Sequence, residues 1–172
     1  LYQRALDQGR RGQIWSMLTG RSRCLFDLLS TEANCKVLDR TNAELRTVPI
    51  EQIQGSEGRA RDFDRDFRPL QYHTRERWLS VARARQQGKS LPPVALIQIG
   101  DIYFVQDGHH RISVARVLGQ KDIEATVIVW QVEGPLPWET LARAPAQEPE
   151  GQPSGIKRTL KQGLRLATAM GW

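Results

Sequence analysis

Asp107-Gly108-His109-His110-Arg111 is the stretch of this chain best suited to chemistry, because it joins a run of strand-forming residues directly to one with helical spacing. Glycine at such a junction permits a positive φ and lets a ligand approach the backbone closely. Amide N–H groups in a helix's first turn have no intrahelical acceptor and the dipole favours negative charge there. His109, His110 and Arg111 therefore present an anion-binding terminus. Arg111 adds a fork suited to bidentate phosphate contact, and Ser113 a hydroxyl donor. Neighbouring side chains at a helix start diverge by about 100°. His109 and His110 should thus divide their tasks, one facing a ligand and the other packing or capping, rather than form a paired metal site. The candidate phosphate- or nucleotide-binding residues are Gly108, His109, His110, Arg111 and Ser113, and the candidate catalytic residues are Asp107, His109 and Glu57. An ordinary turn before a helix, with Arg111 paired to an acid of the 54–70 stretch, accounts for the same five residues without a function.

The second cluster is the polar stretch 54–70, rich in Arg and Asp. Asp62, Asp64 and Asp66 alternate as in a calcium loop, but the positions that need Gly and Glu there hold Phe67 and His73. Two readings remain. Arg59, Arg61, Arg65 and Arg68 can salt-bridge those acids, or Glu57 or one Asp can act as general base or hold Mg²⁺ on phosphates. Trp78 and Tyr72 could stack a base, although an aromatic on a helical face is more often core.

These residues need elements to position them. Residues 1–46 read as an N-terminal helical extension, through Leu6, Ile14, Trp15, Met17, Leu18, Leu25, Phe26, Leu28 and Leu29, breaking into two helices near Thr19-Gly20 with Cys24 on the apolar side of the second. Residues 47–141 read as the α/β domain. Val48 to Ile53 looks like an edge strand containing Pro49, and Thr74 the N-cap of a helix that Gly88 ends. Val94–Ile99 and Ile102–Val105 form a hairpin over Gly100-Asp101, of the kind a type II′ turn makes. Ile112, Ala115 and Leu118 share a helical face closed by Gly119, and Ile123–Trp130 is expected to be the best-buried strand. Residues 142–155 read as a Pro-rich linker. Residues 156–172 read as a basic amphipathic helix, suited to packing on the domain or docking on a membrane or a protein.

Composition narrows the classes. The 172 residues carry a net charge of +6, but residues 47–141 hold 12 basic and 12 acidic side chains. The excess lies in the flanks, at 8 basic to 5 acidic in residues 1–46 and 4 to 0 in residues 156–172. No run approaches the ~18 apolar residues of a membrane span, and Cys24 and Cys35 are too few for a disulfide scaffold. A cytoplasmic protein with reduced thiols is expected, as part of a longer product because it starts on Leu1.

The order of Val48-Pro49-Ile50-Glu51-Gln52-Ile53, a helix, Leu91-Pro92-Pro93-Val94, a hairpin and strand-Gly-x-x-Arg-helix, with Ala115 and Gly119 downstream, resembles the ParB/sulfiredoxin superfamily over about residues 47–130. In ParB proteins the motif is Gly-Glu-Arg-Arg, in a nucleotide pocket; in sulfiredoxins it is Gly-Cys-His-Arg, with a catalytic cysteine beside ATP phosphates. An archaeal ADP-dependent free serine kinase shares the fold. The resemblance implies an α/β (α+β) fold with a small mixed sheet and packed helices. It puts Gly108, His110 and Arg111 in the phosphate-binding positions and His109 in the variable one. Histidine there removes the nucleophile of a sulfiredoxin and the metal-assisting carboxylate of ParB, so neither sulfinic acid reduction nor clamp-type partition carries over. The expected function is binding of ATP, ADP, CTP or a similar phosphate ligand with Mg²⁺, for phosphoryl transfer or nucleotide hydrolysis. The alternative is a ParB-like DNA-binding protein or nuclease using the basic flanks, and a homodimer is a further possible partner state.

Overall fold

The chain runs α1 (Tyr2–Thr19), β1 (Phe26–Asp27), α2 (Leu28–Glu32), β2 (Lys36–Arg40), β3 (Glu44–Pro49), β4 (Ile53–Ser56), α3 (Arg75–Gln86), β5 (Val94–Ile99), β6 (Ile102–Asp107), α4 (His109–Val117) and β7 (Asp122–Glu133). This computed structural model describes residues 1–20 and 22–139; the linker expected at 142–155 and the basic helix expected at 156–172 lie outside them. The strands form one mixed sheet in the order β1-β4-β6-β5-β7-β2, with β3 also pairing β7. The fold is α/β, as the residue pattern requires.

Local signals account for much of this. Gly20, at φ 67°, ends α1 where the break was expected. Gly100, at φ 57°, reverses the chain between β5 and β6, and Gly88 and Gly119 take positive φ just past α3 and α4. Thr74 stands at the N-cap of α3, but its hydroxyl donates to the Gln71 carbonyl instead of capping the helix.

Three expectations are corrected. Residues 1–46 are not helical throughout: after the short α2, whose Ser30 N–H is capped by Asp27 Oδ2 at 3.1 Å, β2 and β3 pair antiparallel with β7. The helical period does not continue past Leu29, and the open edge of β7 offers backbone partners that a helix there would leave unused. Cys24 accordingly sits not on a helix but exposed, in a bridge opposite Asp64; both cysteines are free. Val48 and Ile53 belong to different strands. Pro49 ends edge strand β3 at its pairing with Asp122, and β4 starts afresh between β1 and β6. Strand β7 is not the best-buried strand: it buries only Ala125, Val127 and Trp130, whereas β5, mid-sheet between β6 and β7, buries Val94, Leu96, Ile97 and Ile99 while the longer β7 runs past it.

Alternation divides the apolar residues between two faces. Val94, Leu96, Val105 and Val127 pack with Ile112 and Ala115 of α4 and with Phe63 and Phe67 of the loop after β4. Ile97, Ile99, Phe104 and Trp130 pack with Leu28 and Leu136 on the other side. Tyr2 and Leu6 of α1, Trp78 and Ala82 of α3, and Val114 of α4 form a third cluster that fixes α3 beside α4. The loop after β4 is salt-bridged, but among the described residues only Arg59 and Arg68 of its four arginines pair with its acids; Arg65 lies over Phe26, and Arg23 and Arg116 reach in from outside. Asp66 meets Arg23, Arg68 (3.3 Å) and Arg116 (3.2 Å), and buried Asp64 accepts the N–H groups of Asp66 and Arg68 through Oδ1 at 2.9 and 2.8 Å.

Candidate functional site

Parallel pairing brings the site together. Because β4 and β6 run the same way, with Ser56 opposite Val105, their C-terminal ends share one edge of the sheet, where β5 also begins. One end leads to Arg59 and the other into Gly108, and α3 closes the side. Between them lies an open cleft of about 890 Å³. Gly108 has φ 107° and stands at the N-cap of α4, without a side chain to bond the amides behind it. The first helical bond runs from Ile112 N–H to the Gly108 carbonyl. The N–H groups of His109, His110 and Arg111, which line the cleft, precede that bond and have no acceptor within the helix.

The two histidines differ as their divergence at a helix start demands. His109 is 5% exposed, with Nε2 at 2.7 Å from Ser56 Oγ and its ring stacked at 21° on Phe63. His110 is partly buried and meets Phe63 edge-on, at 5.4 Å between centroids. Burial, then the Arg59 guanidinium, lower the pKa of each ring to about 4. At neutral pH both are uncharged imidazoles, able to donate one hydrogen bond and accept another.

The cations fall into two groups. Arg111 is committed: Nη1 donates to the Pro92 and Pro93 carbonyls at 2.6 and 2.9 Å, and Nη2 to Asp107 Oδ2. It ties the Leu91–Pro93 segment to the start of α4. Arg77 of α3 has no ion pair among the described residues, and Arg59 has only Asp62, at 3.9 Å. Removing the tie by Arg111→Ala is expected to cost about 2 kcal/mol in a urea unfolding experiment, with little rescue by lysine, which lacks the fork. An unchanged midpoint would show that the Pro92 and Pro93 contacts contribute nothing.

The cleft has apolar walls as well. Val81 and Ala84 of α3 face Leu91 and Pro92 across it, next to the basic end.

No family model matches the chain, and no curated protein matches it. Among solved structures the chain is similar to the crystal structure of sulfiredoxin from Arabidopsis thaliana, at 19% identity and a TM-score of 0.34, over 58% of this chain and 93% of that one. At that distance the likeness gives no residue a role.

The structure brings Asp107, Gly108, His109, His110 and Arg111 to the cleft. It separates Glu57 and Ser113 from it. Glu57 is exposed, bonded through its backbone N–H to the Val105 carbonyl, and does not line the cleft. Ser113 is fully buried and accepts the Trp78 indole N–H at 2.8 Å; one turn past His109, it falls on the face of α4 that meets α3. Trp78 is core, and exposed Tyr72 stacks under Arg10 at 4.5 Å. Sequence reasoning missed Ser56, Phe63 and Arg77. Only Arg77 left a signal: Arg77, Val81 and Ala84 form a helical stripe beside the Trp78–Ala82 core stripe. Among the described residues no group of three or more His, Cys, Asp or Glu is arranged to hold a metal ion, and no helix is long and apolar enough to cross a membrane.

Proposed function

We propose that the cleft binds a nucleotide, of the ATP, ADP or CTP kind, or a similar phosphate ligand. Its phosphates would lie on the N–H groups of His109, His110 and Arg111 between Arg59 and Arg77, and its organic part along Val81, Ala84, Leu91 and Pro92. The observation that carries this reading is the uncapped start of α4 opening into a cleft that two arginines border. Neutral histidines add donors without the cost of burying more charge. Positioning and charge neutralisation are what phosphoryl transfer or nucleotide hydrolysis needs most, and Mg²⁺ travels on the ligand's own phosphates. Asp107, whose carboxylate is 77% exposed at the cleft, is the acid placed to act as base once it leaves Arg111.

Titration calorimetry with ATP, ADP and CTP, with and without Mg²⁺, tests the reading. Arg59→Ala and Arg77→Ala should each weaken binding about tenfold, the loss of one charge-assisted hydrogen bond. If wild type binds none of the three, the reading is wrong. The described residues give DNA binding no comparable support. In the N-terminal flank Arg10, Arg23, Arg40 and Arg46 are drawn into contacts with Tyr72, Asp66, Glu32 and Glu44.

A further inference from the structure

The chain has three histidines, and all three line this one cleft in three different states. His73 stands 3.3 Å from Asp62 Oδ2. His109 is fixed by Ser56, whose Oγ accepts the Arg59 N–H at 3.1 Å and lies 2.7 Å from His109 Nε2. His109 is 5% exposed, and burial disfavours the charged form of its ring. His110 has neither kind of partner. Its Nδ1 is buried with no hydrogen bond, and among the described residues no other buried, unpartnered polar side-chain atom belongs to the cleft wall. Folded proteins leave few such groups unpaired.

Arg59 and Asp62 of the loop after β4, His73 before α3 and Arg77 on α3 bear electrostatically on His110, and His109 and Asp107 adjoin it along the chain. Burial and the two guanidinium groups keep its ring neutral. Without Mg²⁺, ADP or ATP brings more negative charge than Arg59 and Arg77 together offset, and the surplus falls beside this ring; Mg²⁺ on the phosphates removes that surplus.

We propose, on the basis of the phosphate reading above, that the cleft takes up its ligand together with one proton, and that His110 receives it. One N–H bond forms on the imidazole, the proton comes from the buffer, and no other bond changes. The site thereby prefers di- and triphosphates over singly charged carboxylates, whose charge the arginines already balance.

Nitrogen-15 spectra of the histidine rings, recorded at pH 7 without ligand and at saturating Mg-free ADP, test this on the wild-type protein. His110 should pass from the neutral to the imidazolium pattern while His109 stays neutral. In parallel, calorimetry with ADP in buffers of low and high protonation enthalpy should show uptake of about one proton per ligand, and His110→Gln should lose that uptake relative to wild type. ADP binding with His110 still neutral overturns the coupling but leaves the phosphate reading standing. Protonation of His109 instead overturns the assignment to His110. Failure of ADP, ATP and CTP to bind at all sinks the phosphate reading itself.

Discussion

Gly108→Ala is expected to destabilise the protein by about 4 kcal/mol and to abolish ligand binding. Two costs combine. At φ 107° a side chain is strained by about 1–2 kcal/mol. The added Cβ would also overlap Cγ1 and Cβ of Val94, which is fully buried at the start of β5 and has nowhere to retreat. Overpacking of this kind costs about 1–3 kcal/mol, and relieving it means moving either β5 or the start of α4. Thermal unfolding should therefore fall by roughly 10 °C in a chain of this size. Gly119→Ala is the matched comparison, because its φ of 77° carries the conformational cost with nothing within 4 Å of the new methyl; it should lose only about 1 kcal/mol. Equal losses in the two variants would mean that Val94 does not constrain the junction.

Acid should destabilise the empty protein through the same histidines. Both rings have folded pKa values of about 4 against an ordinary 6.5, so between those values the unfolded chain binds more protons than the native one. Stability is then full above pH 6.5 and declines as pH falls toward 4. Between pH 7.5 and 5 the loss should be about 2 kcal/mol for His109 and less for the more open His110, about 3 kcal/mol together. Asp64 works in the opposite sense, since burial raises its pKa, and should soften the acid end of the profile. Urea midpoints across this range, compared with those of a His109→Gln, His110→Gln double variant, provide the check. The variant's profile should be flatter, and a flat wild-type profile would refute the burial argument.

How much of the site was legible beforehand varies with the distance over which each interaction acts. The Asp107–Arg111 junction was readable because strand period, glycine freedom and an exposed helix start are all local properties. Arg111 reads from the sequence as an anion ligand, but its bonds to Pro92 and Pro93 come from 19 and 18 residues away, and they make it a tie for the cleft wall. Ser113 shows the limit of reasoning from a helix start alone. Its position one turn along α4 is local information, whereas its partner, Trp78, lies 35 residues back. Strand β2 and the first half of β3, up to Arg46, read as part of a helical region because their partners on β7 follow 79 to 97 residues later and leave no mark on their own periodicity.

The sequence by itself determined the β5–β6 hairpin, the glycine junction and an uncapped helix start, since backbone dihedral preference and hydrophobic period act within a few residues. The tertiary structure alone decided which cations face that helix start. Arg59 reaches it because β4 pairs parallel with β6, and Arg77 because Tyr2, Leu6, Trp78, Ala82 and Val114 fix α3 beside α4. It also decided that His109 is held and His110 left open, because Ser56, 53 residues away, meets only one of the two rings.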